Sequence, residues 1–268
     1  MTGAVCANRF AARGYELVLA RGTFGYKLSM AAWPMEVYSM LLNHDLTRPA
    51  LVHAGAVDWE PSPAAGVERR MLFRVGAEKA RATSIVRYAP NSHFARHQHP
   101  GGEEVLVLDG VFQDETGSFP AGSYVRNPPG SAHAPGSANG CVIFVKLWQF
   151  SANDHARIVR LPGEGVASPP RPGIAASALL FEGVGERVMV EDWQPGAEIA
   201  LANQTGLELL VLAGGFTLPD ATLTPWSWLR LPAGWPLRAR VNAEGARVWI
   251  KAAPLLHPDV CAFAEAAS

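Results

Sequence analysis

Three histidines and one glutamate stand out by type and spacing. His97-x-His99-Pro-Gly-Gly-Glu103 places two imidazoles at i and i+2, which on a strand project from one face. The Pro100-Gly101-Gly102 stretch can turn the chain, so Glu103 at the start of the next strand returns a carboxylate to the same point. Thirty residues on, Gly122-x5-Pro128-x-Gly130-x2-His133 supplies a third imidazole just after a Pro/Gly turn. Three nitrogens and one oxygen suit a divalent Zn, Fe, Mn, Ni or Cu ion and leave one or two positions open on a five- or six-coordinate metal. The ligand types do not name the metal. Glu103 is preferred to Glu104 because neighbours in a strand face opposite ways, and Glu104 is read as a rim group or one that supports the ligands.

Other residues with chemical potential lie close by. His93, four before His97, falls on the same face if the strand extends that far and is read as a group around the ion, since metal-bound imidazoles need hydrogen-bond partners. His93, Tyr124 and Arg126 are the candidates for orienting a substrate, although Arg126 has a counterpart in Arg230 and so also reads as a structural ion pair. Cys141 opens the apolar run GCVIFVK and reads as a buried small side chain. Trp226, Trp228, Trp235 and Trp249 read as core and barrel contacts, and His44, His53, His155 and His257 receive no role.

The elements that carry these residues are short strands. The 268 residues hold 26 glycines and 21 prolines, and between them run short Val/Leu/Ile/Trp-rich segments, so an all-β protein is expected. A helical turn or two is expected only after Pro34. The chain also repeats itself. Gly110-Val-Phe112 matches Gly214-Gly-Phe216, and Gly122-Ser-Tyr-Val-Arg126 followed by Pro128-x-Gly130 matches Trp226-Ser-Trp-Leu-Arg230 followed by Pro232-x-Gly234, both at an offset of 104. Pro90 to Pro195 and Lys146 to Lys251 need 105, and Leu72-Phe73 to Leu180-Phe181 needs 108. Such constancy through turn residues indicates an internal duplication. The expected layout is an N-terminal arm, 1–46, partly disordered, with a start site that could be over-extended; a first barrel, 47–160; a linker, 161–173, with seven Pro or Gly; a second barrel, 174–256; and a tail, 257–268. In the second copy only Glu208 survives of the ligand set, and one carboxylate does not hold a transition metal, so that barrel is expected to be metal-free, with a structural or ligand-binding role.

The two motifs resemble those of the cupin superfamily, G-x5-H-x-H-x3–4-E-x6-G and G-x5-P-x-G-x2-H-x3-N, with Asn91 in place of the leading Gly and Ser137 in place of the closing Asn. Residues 50–150 are similar to the ChrR-like cupin family in particular. The resemblance implies two tandem double-stranded β-helix (jelly-roll) barrels, with one divalent ion on His97, His99, Glu103 and His133 in the first. The family's founding member is an anti-sigma factor whose separate zinc domain carries H-x3-C-x2-C; nothing like it occurs here, so sigma-factor binding is not carried over. Three functions stay open: a non-haem metal-dependent dioxygenase acting on a small organic substrate, a metal-binding oxidative-stress sensor, and a structural or ligand-binding bicupin. A net charge of −1 argues against nucleic acid or an anionic membrane as partner. Three cysteines at no metal-like spacing and the lack of a secretory signal lead to the expectation of a cytoplasmic protein. A small-molecule ligand is expected, and a homodimer is kept open.

Overall fold

Short apolar runs cut by Gly and Pro form strands along the whole of residues 40–77, 79–169 and 171–261, which the computed structural model describes. The expectations for residues 1–39 and 262–268 lie outside the described residues. No α-helix occurs among the described residues, where the one helical turn is the 3-10 segment Ala54–Ala56. None is therefore long and apolar enough to cross a membrane. The helix expected after Pro34 is not seen in its described part: Met40–Leu42 is a strand, antiparallel to Arg74–Gly76 at the edge of the first sheet.

Two large antiparallel sheets repeat one strand order. The first runs Met40–Leu42, Val67–Gly76, Ala80–Tyr88, Cys141–Leu147, Glu103–Asp114, Tyr124–Asn127, Ile158–Arg160. The second runs Val166–Ala167, Ile174–Gly183, Glu186–Trp193, Leu237–Ala252, Gly206–Leu218, Ser227–Pro232, Ala50–His53. The duplication extends to two of the irregularities. Register shifts that leave Leu72 and Leu180 bulged occur at the same point of the first long strand in each copy, and Leu108 and Leu212 are bulged alike in the central one. Gly110 and Gly214 both have left-handed backbone, and a Cβ on either would meet the carbonyl oxygen of Gly140 or Gly245 at 2.3 or 2.0 Å. Only glycine fits there. Asn91, at the position where the motif has glycine, keeps that geometry with φ 58°, and asparagine is among the residues that tolerate it.

The blocks are not self-contained. Ala50–His53, ahead of the first barrel, pairs with Ser227–Pro232 and closes the edge of the second sheet, while Ile158–Arg160 closes the edge of the first on Tyr124–Asn127. The Pro/Gly stretch 161–173 contributes Val166–Ala167 to the second sheet.

Each large sheet is buried on both faces. The inner faces form the barrel cores: Val105, Val107, Val125, Ile143 and Val145 in the first, Leu207, Leu209, Leu229, Val248 and Ile250 in the second. Cys141 belongs to the first core, and burial pushes its thiol up to about 11. The outer faces meet across a shared core in which Phe144 packs edge-on against its counterpart Trp249 at 5.1 Å. Within this seam the copies exchange charged partners. Lys146 binds Glu208 at 2.6 and 2.7 Å, and Lys251 binds Glu104 at 2.7 Å. Arg126 stacks on Phe181 of the second copy at 4.0 Å, and Arg230 lies over Phe73 of the first at 5.3 Å. These reciprocal contacts describe a pseudo-two-fold pair of barrels within one chain.

Candidate metal centre

The ligand motif is set by two short strands and the start of a long one. His97–His99 pairs with Ser131–His133, so that His97 stands directly opposite His133 and His99 opposite Ser131. The turn between His99 and Glu103 lies flat on two aromatic rings: a Cβ on Gly101 would sit 2.1 Å from the Trp148 ring and one on Gly102 2.6 Å from Phe150. The two glycines let backbone touch ring, which fixes how Glu103 enters its strand. Glu103 shares the inner face with Val105 and Val107, while Glu104 and Leu106 point to the seam.

The imidazoles form a near-equilateral triangle, with ring centroids 4.8, 5.3 and 4.9 Å apart for His97–His99, His97–His133 and His99–His133. One ligand atom from each lies within 4.8 Å of the others. His99 Nε2 and His133 Nε2 are 3.0 Å apart, and Glu103 Oε2 lies 3.7 and 3.4 Å from them. Metal–ligand bonds of about 2.0–2.2 Å place neighbouring donors roughly 2.9–3.6 Å apart, so His99–His133 and His133–Glu103 already stand at the spacing of one ion, with Glu103–His99 slightly wider. The tautomers fit as well. His97 Nδ1 donates to the Ala95 carbonyl at 3.0 Å, and His133 Nδ1 donates to Asp114 Oδ2 at 3.4 Å, leaving Nε2 of each with its lone pair free. Burial, with His97 adjacent, pushes His99 down to about 4, so this imidazole is neutral at pH 7 and ready to ligate. Burial raises the Glu103 carboxyl despite the nearby His133 and the hydrogen bond from Asn127, a cost that a cation at its oxygen would offset.

Several sequence expectations fall elsewhere. His93 is exposed on the short strand Ser92–His93, paired with Gly136, and stands outside the triangle. Tyr124 and Arg126 do not face the centre: alternation on their strand sends Val125 and Asn127 inward and these two into the seam. Tyr124 donates to Glu104 at 2.7 Å, and Arg126, fully buried, pairs with Asp154 and with Glu186 at 2.8 Å while stacking on Phe150 at 4.1 Å. Glu104 is likewise not at the rim, being buried among Tyr124, Lys251 and Arg126. Trp228 and Trp249 are fully buried, but Trp235 is 52% exposed, on the loop beside the second barrel's mouth. His257, given no role from sequence, is buried against Glu186 at 2.6 Å.

The second barrel shows what the fold does without ligands. Register makes Glu208 the counterpart of Glu104, because each stands opposite the same arginine and lysine, Arg230 and Lys251 or Arg126 and Lys146. Glu208 is therefore no relic of the ligand set. Glu103 corresponds to Leu207, and the facing pair His97 and His133 corresponds to Leu201 and Leu237, also face to face. His99 corresponds to Asn203, whose amide donates to the carbonyls of Leu231, Pro232 and Trp235 and accepts from Gly206 N–H.

Asp114 and Asn127 escaped the sequence reading. Asn127 could have been found from the duplication, since Arg126, kept as Arg230 in the copy without ligands, belongs to the seam and its neighbour faces the other way. Asp114 follows the bend after Gly110, which one sequence does not place.

Comparison with known proteins agrees with this architecture. Residues 47–151 match the family described as ChrR Cupin-like domain. No curated protein sequence matches the chain. Among solved structures, a "putative dioxygenase" from Nostoc punctiforme superposes with TM-score 0.63 at 14% identity, covering 81% of this chain and 87% of that one. Pirin YhhW from Escherichia coli, solved with nickel(II), gives 0.58 at 11% identity over 77% of this chain and 99% of its own. A cupin 2 conserved barrel domain protein from Leptotrichia buccalis gives 0.52 at 11% identity over 80% and 100%. The described chain has the cupin fold in two tandem copies, and its residues 47–151 match the ChrR Cupin-like domain.

Proposed function

We propose that the first barrel holds one divalent ion on His97, His99, Glu103 and His133, and that the chain is a non-haem metal-dependent enzyme of the dioxygenase type acting on a small organic substrate. The convergence of three imidazoles and a carboxylate, two of them tied by hydrogen bonds that leave Nε2 free, carries this reading. The bound metal would supply Lewis acidity and, as iron, a site for O2 at its open positions. The protein's own contribution is to orient His97 through Ala95 and His133 through Asp114, to hold Glu103 through Asn127, and to place Phe112 on the inner side of the centre, 6.0 Å from His133. The nickel(II) in the pirin and the name of the Nostoc protein support a metal-dependent reading by fold likeness alone.

The ChrR Cupin-like match favours a second reading, a metal-binding sensor module responsive to oxidants. Elemental analysis of protein purified without a histidine tag, followed by anaerobic NO addition, separates the two. The enzyme reading expects one iron, manganese or nickel per chain and, for iron, a metal–nitrosyl spectrum. Zinc with no nitrosyl would overturn it in favour of the sensor, and no metal at all would overturn both.

A further inference from the structure

The inner face of the first sheet carries more than the ligands. A cavity of about 150 Å³ lies against it, lined among others by Arg69, Arg74, Ser84, Val86, Val145 and Leu147. An apolar cavity of that volume holds a benzene-sized molecule. Its place relative to the candidate centre follows from register. Leu147 stands directly opposite Glu103 on one side and Ala82 on the other, Val145 opposite Ser84, and Val86 opposite Arg69. The cavity therefore begins one strand away from the glutamate and extends beneath the strands Ala80–Tyr88 and Val67–Gly76.

Arg69 carries the charge that faces this cavity. Its Nε is buried with no hydrogen-bond partner, and no carboxylate among the described residues pairs with it. Glu60, its cross-strand neighbour, is exposed and makes no ion pair with it, and Glu68 on the other face is engaged by Arg87. Arg69 is half-buried and makes no ion pair or hydrogen bond within the described protein, so its guanidinium is available to an anion in the cavity. Arg74, 6% exposed and donating to the Ala77 carbonyl, also lines the cavity, and Ser84 adds a hydroxyl.

We propose that this cavity binds a small organic carboxylate, its charged end on Arg69 and its apolar body along Val86, Val145 and Leu147. The inference deepens the function proposed above by naming the class of compound, and it rests on that reading only for calling the compound a substrate; binding itself needs no metal. An apolar body of up to about six carbons, the carboxylate apart, is the size that the cavity admits.

The test is calorimetric titration of the full chain, metal-free and metal-loaded, with benzoate, butyrate and the neutral amide benzamide. At least one acid should bind with one equivalent per chain, about tenfold or more tighter than benzamide. R69Q should weaken the acid about tenfold or more, R69K should recover most of that loss, and V86F should abolish binding by filling the space with the charge kept. Failure of both acids to bind, equal binding of acid and amide, or an unchanged affinity in folded R69Q overturns the proposal. An acid that binds through Arg69 in a chain that never takes up metal would sink the proposed function and leave this inference standing.

Discussion

The two barrels share strand order, bulges and glycine turns, yet one layer of side chains separates them. Where the first barrel has His97, His99, Glu103 and His133, the second has Leu201, Asn203, Leu207 and Leu237. The leucines fill the layer with apolar contact, and Asn203 binds the loop Leu231–Trp235 by hydrogen bonds. The second copy thus keeps the same strand order with an apolar layer, so strand order alone does not require the polar layer of the first. The seam teaches the converse. Glu104, Arg126 and Lys146 recur as Glu208, Arg230 and Lys251, and because both copies keep them they serve what the copies have in common, namely each other.

The largest effect should come from copying the second layer into the first. H97L/H99N/E103L/H133L should lose the divalent ion completely in calorimetric titration while keeping a cooperative thermal transition. A swap that unfolds the chain would instead make the metal a brace.

The seam comes next. Lys146 is 1% exposed, and K146M leaves Glu208 with reduced compensation, at a cost of about 3–5 kcal/mol in urea unfolding. K251M should cost a similar amount through Glu104, as the pseudo-two-fold requires, and K146M/E208L should regain most of the loss.

A subtler effect is expected at Asp114, which the second barrel has no reason to keep. D114N weakens the hold on His133 Nδ1 and should lower metal affinity roughly ten- to hundredfold with unchanged stoichiometry. Unchanged affinity would remove Asp114 from the centre.

The smallest effect lies in acid. Burial alone would raise Glu186 and Glu208, but Lys251, the His257 hydrogen bond and Arg126 around the first, and Lys146 and Lys251 around the second, hold both below their ordinary value of 4.5. Carboxylates held low in the folded state contribute stability that is complete above the ordinary value and lost as pH falls through the folded values. The thermal midpoint should therefore be level down to about pH 5 and fall below 4.5, by roughly 2–4 °C for each kcal/mol lost. E186Q should flatten part of that limb.

Much of this was legible in the sequence because turns and ligands have fixed spacing. His97 and His99 on one face, the return of Glu103 and the offset of 104 all follow from strand period and Pro/Gly punctuation. Which face of the large sheet looks inward was not legible. Sheets buried on both sides read as continuous apolar runs, so Tyr124 and Arg126 looked as well placed for the centre as Val125 and Asn127. The duplication held the missing signal: residues retained in the copy without ligands belong to the seam. The exchange of Ala50–His53 into the second sheet left no such trace, because an edge strand of four residues carries too little pattern to name its partner.

The central claim is a single centre of three imidazoles and one carboxylate in the first barrel. X-ray absorption at the edge of the bound metal, measured on the full chain, tests it most directly. The account predicts four protein nitrogen or oxygen donors at about 2.0–2.2 Å with the outer-shell scattering of three imidazoles, reduced to two in H97A. A sulfur donor, fewer than three imidazoles in the unaltered chain, or a spectrum that H97A leaves unchanged would contradict it.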